Sequence, residues 1–544
     1  MVALQYERQH KDSSFCVRWK DDSTSWVPLK DLKESNPLDV SEYAVANKLV
    51  TEPAFQWWVP TTLRRRDRII AKLHTRYMKR VQKFGIDLPK TIKEAYLLDS
   101  KNNNTKWADA IAKEMKNVSI AFNILEPEAN VPIGYQNIRC HLVFDVKMDF
   151  AHKARLVAGG HTTKVTEISN YSSVVSRESV RIAMVIAALN DLHLEAGDIQ
   201  NSYLTAPCLE KIYTICGPEF GPDNQGKTAI IVRALYGLRS SSKAFRNHLS
   251  AGIKELGWIS CKADADVYYQ SATRPDGVKY YKYLLTYVDD LLCISDELSL
   301  DLDKLDKYFK MKANSRGIPK SYLGGQINAV TLLNNVQAWN FTSSKYVQEA
   351  ISNVEKHIFT EYDAKLPMRV TTPFTSGYRP ELDTSRELTD ERALYFMSLI
   401  GILRWAVELG RIDITTEVSE LSSFLAAPRD GHLNQALHIF AYLKKHHNSG
   451  IVFDPSYADI NEDDFKSSDD WKYFYGDEKE YLPPNMSPPL GKEAVIRCFV
   501  DADHAGDKIT RRSRTGFIII LKNAPNYWMS KKQNTCETST FGSE

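Results

Sequence analysis

The chain has 544 residues, 43% hydrophobic and 25% charged, too many for one compact core, which predicts about three to five domains of ordinary globular composition. Its net charge of +2 excludes a global basic field, so any nucleic-acid binding must rest on local patches. Eight cysteines without a Cys-x-x-Cys pair argue against zinc and for a reducing cytosol or nucleus, and no apolar run approaches the roughly 20 residues of a membrane span.

Residues 1–60 read as a small β-rich module. Strands are predicted over Phe15–Lys20 and Ser25–Leu29, joined by a turn at Asp21–Ser23, with Met1–His10 too degenerate for a further strand. The run from Val17 to Leu32 resembles the core of a chromodomain, a family that can bind methylated lysine by cation–π attraction. Only Trp19 falls at a cage-like position, and Asp22 stands where a second aromatic is expected. A structural or docking module is therefore the favoured reading, with chromatin as the partner the resemblance implies. The abrupt start predicts a fragment of a longer polyprotein. Residues 61–102 read as a basic linker, in which Arg64–Lys83 carries Ile69, Ile70, Leu73, Tyr77 and Val81 at helical spacing. Template phosphates, a nuclear-import receptor or plain solvent are its open partners.

From residue 103 the pattern changes. A helix is predicted over Trp107–Met115 with Asn103, Asn104 and Thr105 as caps, then a strand pair over Leu142–Lys147 and Ala154–Ala158. Glu178–Leu189 reads as a buried helix feeding a strand that ends near Asp198. Val267–Tyr269 and Lys279–Tyr283 are aromatic-basic strands, fit for a template track or for plain sheet. Tyr283–Thr286 and Leu291–Ile294 are buried-type strands joined through Tyr287-Val288-Asp289-Asp290. Cys293 and Cys498 lie in apolar runs and are expected as small core residues. Helices follow over Leu298–Met311, from Lys345, and from Ala393 to Leu425 with a split near Gly410–Asp413. A last helix, Leu433–His447, ends in His446 and His447, which suit a helix C-terminus better than a metal. An acidic and proline-rich linker over 454–494 precedes three strands.

The acid pair carries the chemistry. Two adjacent anions on core strands repel, stay ionised cheaply only beside cations, and suit hard divalent ions; a solvated hairpin is the bland alternative. Asp198 closes a strand about ninety residues upstream, and Tyr203 follows five positions on. This arrangement resembles a reverse transcriptase. Lys153–Gly160, Ala234–Leu238 and Tyr322–Gly325 narrow the resemblance to copia-type retrotransposon polymerases over about residues 103–544.

The resemblance implies an α+β right-hand polymerase, with fingers and palm over 103–340, thumb and connection over 341–453, and a truncated RNase H-like α/β piece over 495–544. It implies Asp198, Asp289 and Asp290 as catalytic residues holding two Mg2+ (or Mn2+) ions, and Lys153, Arg155 and Arg239 as cations facing the nucleotide. Tyr203 becomes a gate against a ribose 2′-hydroxyl, although by spacing alone it is an ordinary core tyrosine. Arg239–Ser242 departs from the Lys-Gln-Ser-Pro-like sequence of many relatives, with serines replacing the amide and the proline. The Tyr322–Gly325 turn is implied to hold the primer end, where only small residues allow close approach. Asp501 and Glu544 are the implied metal ligands of the RNase H remnant; the further acids it needs are absent, so no RNA cleavage is expected. The implied function is RNA-directed DNA polymerase, a nucleotidyltransferase. Its partners would be an RNA template, a DNA primer and dNTPs, in a cytoplasmic element particle or the nucleus, with no membrane and with oligomerisation open. The alternative is a decayed or domesticated remnant that binds nucleic acid or chromatin without catalysis.

Overall fold

The computed structural model describes all residues except 1–2, 9–12, 19–23, 30–36, 61–81, 84–85, 147–150, 161–162, 164–171, 298–299, 458–472, 474–475, 477–484 and 544. Two compact units emerge: one of residues 1–103 with 144–152 and 533–536, the other of 104–143, 153–532 and 537–544.

The first unit opens on a three-stranded antiparallel sheet, β1 (Ala3–Arg8), β2 (Ser13–Arg18) and β3 (Thr24–Pro28), followed by α1 (Pro37–Ala46). The first strand, expected to be missing, is there: Ala3 pairs with Arg18 and Tyr6 with Phe15. Its alternation of Leu4 and Tyr6 with polar neighbours is short, yet an apolar partner strand suffices to recruit it. Phe15, Val40, Ala44, Phe55, Trp58 and Val59 form a small core, with Phe15 edge-on to Tyr43 and Phe55. Trp19 and Asp22 lie outside the described residues, as does nearly all of the basic stretch 64–83. Its last two residues are not helical: β4 (Gln82–Lys83) pairs with β5 (Ile86–Asp87), and α2 (Ile92–Lys101) follows with its N-cap at Thr91.

The second unit is a mixed α/β body. The expected helix forms as α3 (Lys106–Val118), with Thr105 at its N-cap donating to Asp109. The body holds a four-stranded sheet in the order β6 (Phe122–Ile124), β12 (Thr228–Ile231), β11 (Ile212–Ile215), β7 (Gln136–Asn137); β8 (Cys140–Val146) and β9 (His152–Ala158) pair as a separate two-stranded ribbon. Next come α4 (Arg177–Leu189), capped by Ser176, then β10 (His193–Asp198), α5 (Ser202–Thr205) and α6 (Ser241–Glu255).

The central sheet has the order β10, β16 (Asp290–Ser295), β15 (Lys279–Tyr287), β14 (Val267–Thr273), β13 (Ile259–Ser260). Its two middle strands are buried on both faces, which is why they read as unbroken apolar runs. Leu284, Leu291 and Cys293 pack towards α6 and α7 (Leu300–Tyr308), while Leu285, Leu292 and Ile294 pack towards α4. This two-sided burial fixes the register, because a slip of one residue would exchange the two faces.

A second sheet, β17 (Ser321–Tyr322), β18 (Gly325–Thr331), β19 (Gln337–Thr342) and β20 (Gly450–Phe453), leads into helices α8 (Ser344–Tyr362), α9 (Asp390–Glu408), α10 (Thr415–Ser422) and α11 (Asp430–Lys445). The helices share one core around Val354, Phe396, Leu403, Val418, Leu433 and Phe440. His447 lies just beyond α11, which ends at Lys445, and is an ordinary polar neighbour, its ring 2.9 Å from the Ser344 hydroxyl.

Of the two uses left open for β14 and β15, these contacts favour plain sheet: the Tyr269 hydroxyl meets Ser487 at 3.0 Å, and Tyr281 donates to the Pro488 carbonyl at 2.7 Å. The proline-rich stretch that reads as a linker thus returns to meet these tyrosines. The last three strands, β21 (Ile496–Asp503), β22 (Arg514–Leu521) and β23 (Ala524–Lys532), form an antiparallel sheet that is not left open on both sides. Leu521 and Ala524 join the core built on α4 and β16, with Trp528 against it. β21 is largely exposed, and Cys498 on it is exposed, contrary to its expected place in a core. The seven described cysteines for which thiols are resolved are all free. Among the described residues, no helix is long and apolar enough to cross a membrane.

Candidate active site

Strand pairing brings the distant acids together. Asp198, the last residue of β10, lies directly opposite Asp290, the first of β16. Cross-strand partners project to one face with Cβ atoms about 4.5–5.5 Å apart, so these carboxylates are neighbours by register. Tyr287 pairs with Asp290, leaving Val288 and Asp289 as a two-residue loop. Val288 sits at φ +58°, a left-handed conformation a β-branched residue seldom takes, and such strain concentrates at working sites. The loop is held by the Ile199 amide, which donates to the Asp289 carbonyl at 2.9 Å.

A cation completes the group. Residues 310–312 run alongside the end of β10: the Gln200 amide donates to Lys310 and the Lys312 amide to the Asp198 carbonyl, both at 2.8 Å. That approach needs Gly197, where a Cβ would come within 2.8 Å of the Met311 sulfur. The Lys312 ammonium donates to both carboxylate oxygens of Asp198 and lies 3.7 Å from Asp289 Oδ2. Ser315 accepts from the Asp198 amide at 3.1 Å. Neither Lys312 nor Ser315 was legible in the sequence, where a lysine in Lys310-Met311-Lys312 reads as surface charge.

The third acid responds to this crowding. Burial pushes the Asp290 carboxyl up to about 6, with the charges of Asp289 and then Asp198 adding to the rise and Lys312 opposing it. Behind it Tyr322 is 4% exposed, and burial together with Asp290 and Tyr287 pushes its phenol well up. The sign of the pH effect follows. Between the ordinary carboxylate range and about pH 6 the folded chain holds a proton on Asp290 that the unfolded chain releases, so this contribution to stability is lost as pH rises through that window. In EDTA, Asp290→Asn is therefore expected to flatten the fall in thermal midpoint between about pH 4.5 and 6.5. An unchanged slope would assign that fall to another group.

The remaining candidates gather around Tyr203. Its ring lies 4.9 Å from that of Tyr236, and the Arg155 guanidinium stands 4.9 Å over Tyr236. Asp289 is among the charges that raise the Tyr236 phenol, after burial and against Arg155, so this aromatic pair stands within the field of the acids. Lys153 and Arg155 both counter the burial that raises Glu114, whose carboxylate accepts from the Leu156 amide at 2.9 Å. Arg239 donates through Nε to the Gly160 carbonyl at 3.0 Å, which ties it to the loop after β9. Gly237, at φ +91°, permits this junction, since a Cβ there would stand 2.2 Å from the Ala158 carbonyl. The two serines that replace the relatives' amide and proline, Ser240 and Ser242, and Ser241 between them are each engaged. Ser240 donates to Glu210 and Ser241 to the Leu235 carbonyl, both at 2.6 Å, and the Ser242 hydroxyl meets the Tyr203 hydroxyl at 3.0 Å.

As the side chains stand, no group of three or more His, Cys, Asp or Glu among the described residues is arranged to hold a metal. The donor set nonetheless fits a hard divalent ion: three carboxylates converge, and a cation already bridges two of them. Asp501 is exposed on β21 and accepts from the Ala502 amide, while Glu544 lies outside the described residues.

With this geometry in hand, comparison with known proteins is specific. Residues 123–361 match the reverse transcriptase (RNA-dependent DNA polymerase) family. Over this stretch the chain is similar to a reverse transcriptase domain. The stretch holds the whole Asp198, Asp289, Asp290 and Lys312 group. Similarity extends beyond it to retrovirus-related Pol polyproteins of copia-type transposons. The chain is 23% identical over 81% of its length to the polyprotein from transposon RE1 of Arabidopsis thaliana, and 24% identical over 84% to that from transposon TNT 1-94 of Nicotiana tabacum. It spans 27% and 31% of those two proteins. A transposon Ty5-1 protein of Saccharomyces cerevisiae is 24% identical over 62% of the chain and is itself 92% covered.

Proposed function

We propose that this chain is the RNA-directed DNA polymerase of a copia-type retrotransposon, extending a DNA primer 3′-hydroxyl with dNTPs on an RNA template. The observation that carries this reading is the cross-strand pairing of Asp198 with Asp290 at the foot of the hairpin that presents Asp289, inside a reverse transcriptase domain. Asp198, Asp289 and Asp290 would hold two Mg2+ ions (Mn2+ as a substitute), which when bound supply charge to activate the hydroxyl and stabilise the leaving pyrophosphate. The protein's own part is positioning. The central sheet fixes the acids, Arg155 and Arg239 supply cations on the Tyr203 side, and the tight turn between β17 and β18 supports the primer end. Residues 103–453 would supply fingers, palm, thumb and connection, and 495–544 an RNase H-like sheet.

Tyr203 is the proposed barrier to a ribose 2′-hydroxyl, and its hydroxyl is steadied by Ser242. Ser242→Ala is then expected to weaken dNTP-over-rNTP selection by roughly two- to tenfold, and Tyr203→Ala by more, since one hydroxyl contact is worth about 1 kcal/mol. Single-nucleotide incorporation with paired dNTP and rNTP checks this; an unchanged ratio for both variants removes Tyr203 as the gate.

The reading itself is tested by primer extension on poly(rA)/oligo(dT) with Mg2+, run beside a gel shift on the same duplex. Extension together with binding supports the polymerase. Binding without extension at any Mg2+ or Mn2+ concentration would favour the non-catalytic remnant.

A further inference from the structure

We propose that Lys312 is a built-in counter-cation: its ammonium holds the seat between Asp198 and Asp289 until a divalent metal displaces it, so metal affinity is set by competition within the chain. The inference rests on the polymerase reading only for the premise that these acids take metal.

Three carboxylates within one cross-strand spacing cannot all stay ionised without a cation nearby. The Lys312 ammonium meets that need by touching both oxygens of Asp198 and reaching towards Asp289. Its place is not accidental. The Lys312 amide donates to the Asp198 carbonyl, Ile199 bridges Met311, and Ser315 is bound both to the Asp198 amide and to the Lys312 carbonyl. The backbone therefore holds Lys312 beside Asp198, with its ammonium within reach of both acids.

Release is also built in. The Lys312 side chain is 45% exposed, so the ammonium can leave into water at little desolvation cost. Exposed ion pairs are weak, whereas a hard divalent ion gains from every carboxylate oxygen it collects. As the side chains stand, the described acids do not form a three-ligand group. The metal-free arrangement is thus a closed form, stabilised by a lysine, from which the open form is reached by exchanging one cation for another. A seat filled this way keeps the hairpin tip ordered before substrate arrives. It also sets a threshold, because trace divalent ions must outcompete an ammonium tethered at high local concentration.

The test is Mn2+ binding by the full chain, followed by electron paramagnetic resonance at constant pH and salt, for wild type, Lys312→Gln, Lys310→Gln and Asp198→Asn. Lys310 is an exposed lysine two residues away and controls for loss of general positive field. Lys312→Gln is expected to bind Mn2+ roughly three- to tenfold tighter than wild type, the factor for removing one partly exposed bridging cation, and Lys310→Gln within about twofold. In EDTA, Lys312→Gln should melt below wild type and gain more from added Mn2+. Equal or weaker binding by Lys312→Gln, or an equal gain from Lys310→Gln, overturns the proposal while leaving the metal site standing. Wild-type binding indifferent to Asp198→Asn would instead sink the metal reading itself. Should Lys312→Gln not fold, Lys312→Arg keeps the charge and must bind Mn2+ no tighter than wild type; tighter binding refutes competition.

Discussion

Asp289→Asn leaves the chain folded and bound to primer–template but lowers primer extension by at least about a thousandfold, because one of three carboxylates that would carry the metals becomes a neutral amide. The fold should tolerate the change. The loop is held through the Asp289 carbonyl, which Asn retains, and the side chain's one described ion pair is the long 3.7 Å approach of Lys312. Losing a negative neighbour also eases ionisation of Asp290, whose raised carboxyl owes part of its shift to Asp289. In metal-free buffer the variant is therefore expected to be at least as stable as wild type near neutral pH. Steady-state extension, gel shift and thermal unfolding separate these effects. Extension within tenfold of wild type would remove Asp289 from the mechanism.

Arg181→Ala acts on stability instead. Arg181 is 6% exposed on α4, and its guanidinium donates to the carbonyls of Asn526 at 3.0 Å and Glu408 at 2.6 Å while lying 4.0 Å over the Trp528 ring. Burial lowers it to about 10, against the pull of Glu178 and Glu408, so it remains a cation at neutral pH. Truncation strands one buried and one half-buried carbonyl and a ring face, a loss of about 2–3 kcal/mol from unsatisfied acceptors and lost cation–π attraction. Arg181→Lys is not expected to restore it, since a single ammonium cannot reproduce a planar fork with two carbonyls and a stacked ring. Urea unfolding checks both variants. A midpoint unmoved in Arg181→Ala would mean that water or a neighbour takes over both carbonyls.

Local pattern carried the sequence reading where the chemistry is local. The acid pair between two apolar strands, the strand closing at Asp198 and the split between α9 and α10 at Gly410 all follow from short-range periodicity and turn residues. The expectation that Asp198 meets the hairpin came from resemblance, and its geometry is a register that no spacing encodes. Lys312 escaped notice for the same reason: it reaches Asp198 across 114 positions, through an isolated bridge at Met311 rather than a strand with a readable alternation. Tyr269 and Tyr281 left two uses open because an aromatic-basic strand looks the same whether nucleic acid or a returning loop covers it, and here Ser487 and Pro488 meet their hydroxyls. The strand Ala3–Arg8 was passed over because six residues carry little signal until a partner is known.

Leu521 and Ala524 come late in the chain yet lie in the same core as Met184, Leu194 and Ile294. Any attempt to shorten the protein by stopping near residue 490 would cut through a packed interior. Such a shortened product would leave the ribosome with a cavity along α4 and a guanidinium facing solvent where Trp528 should be. Chaperone retention or inclusion bodies are what that surface would invite, and a biochemist seeking a well-behaved product does better to keep the tail.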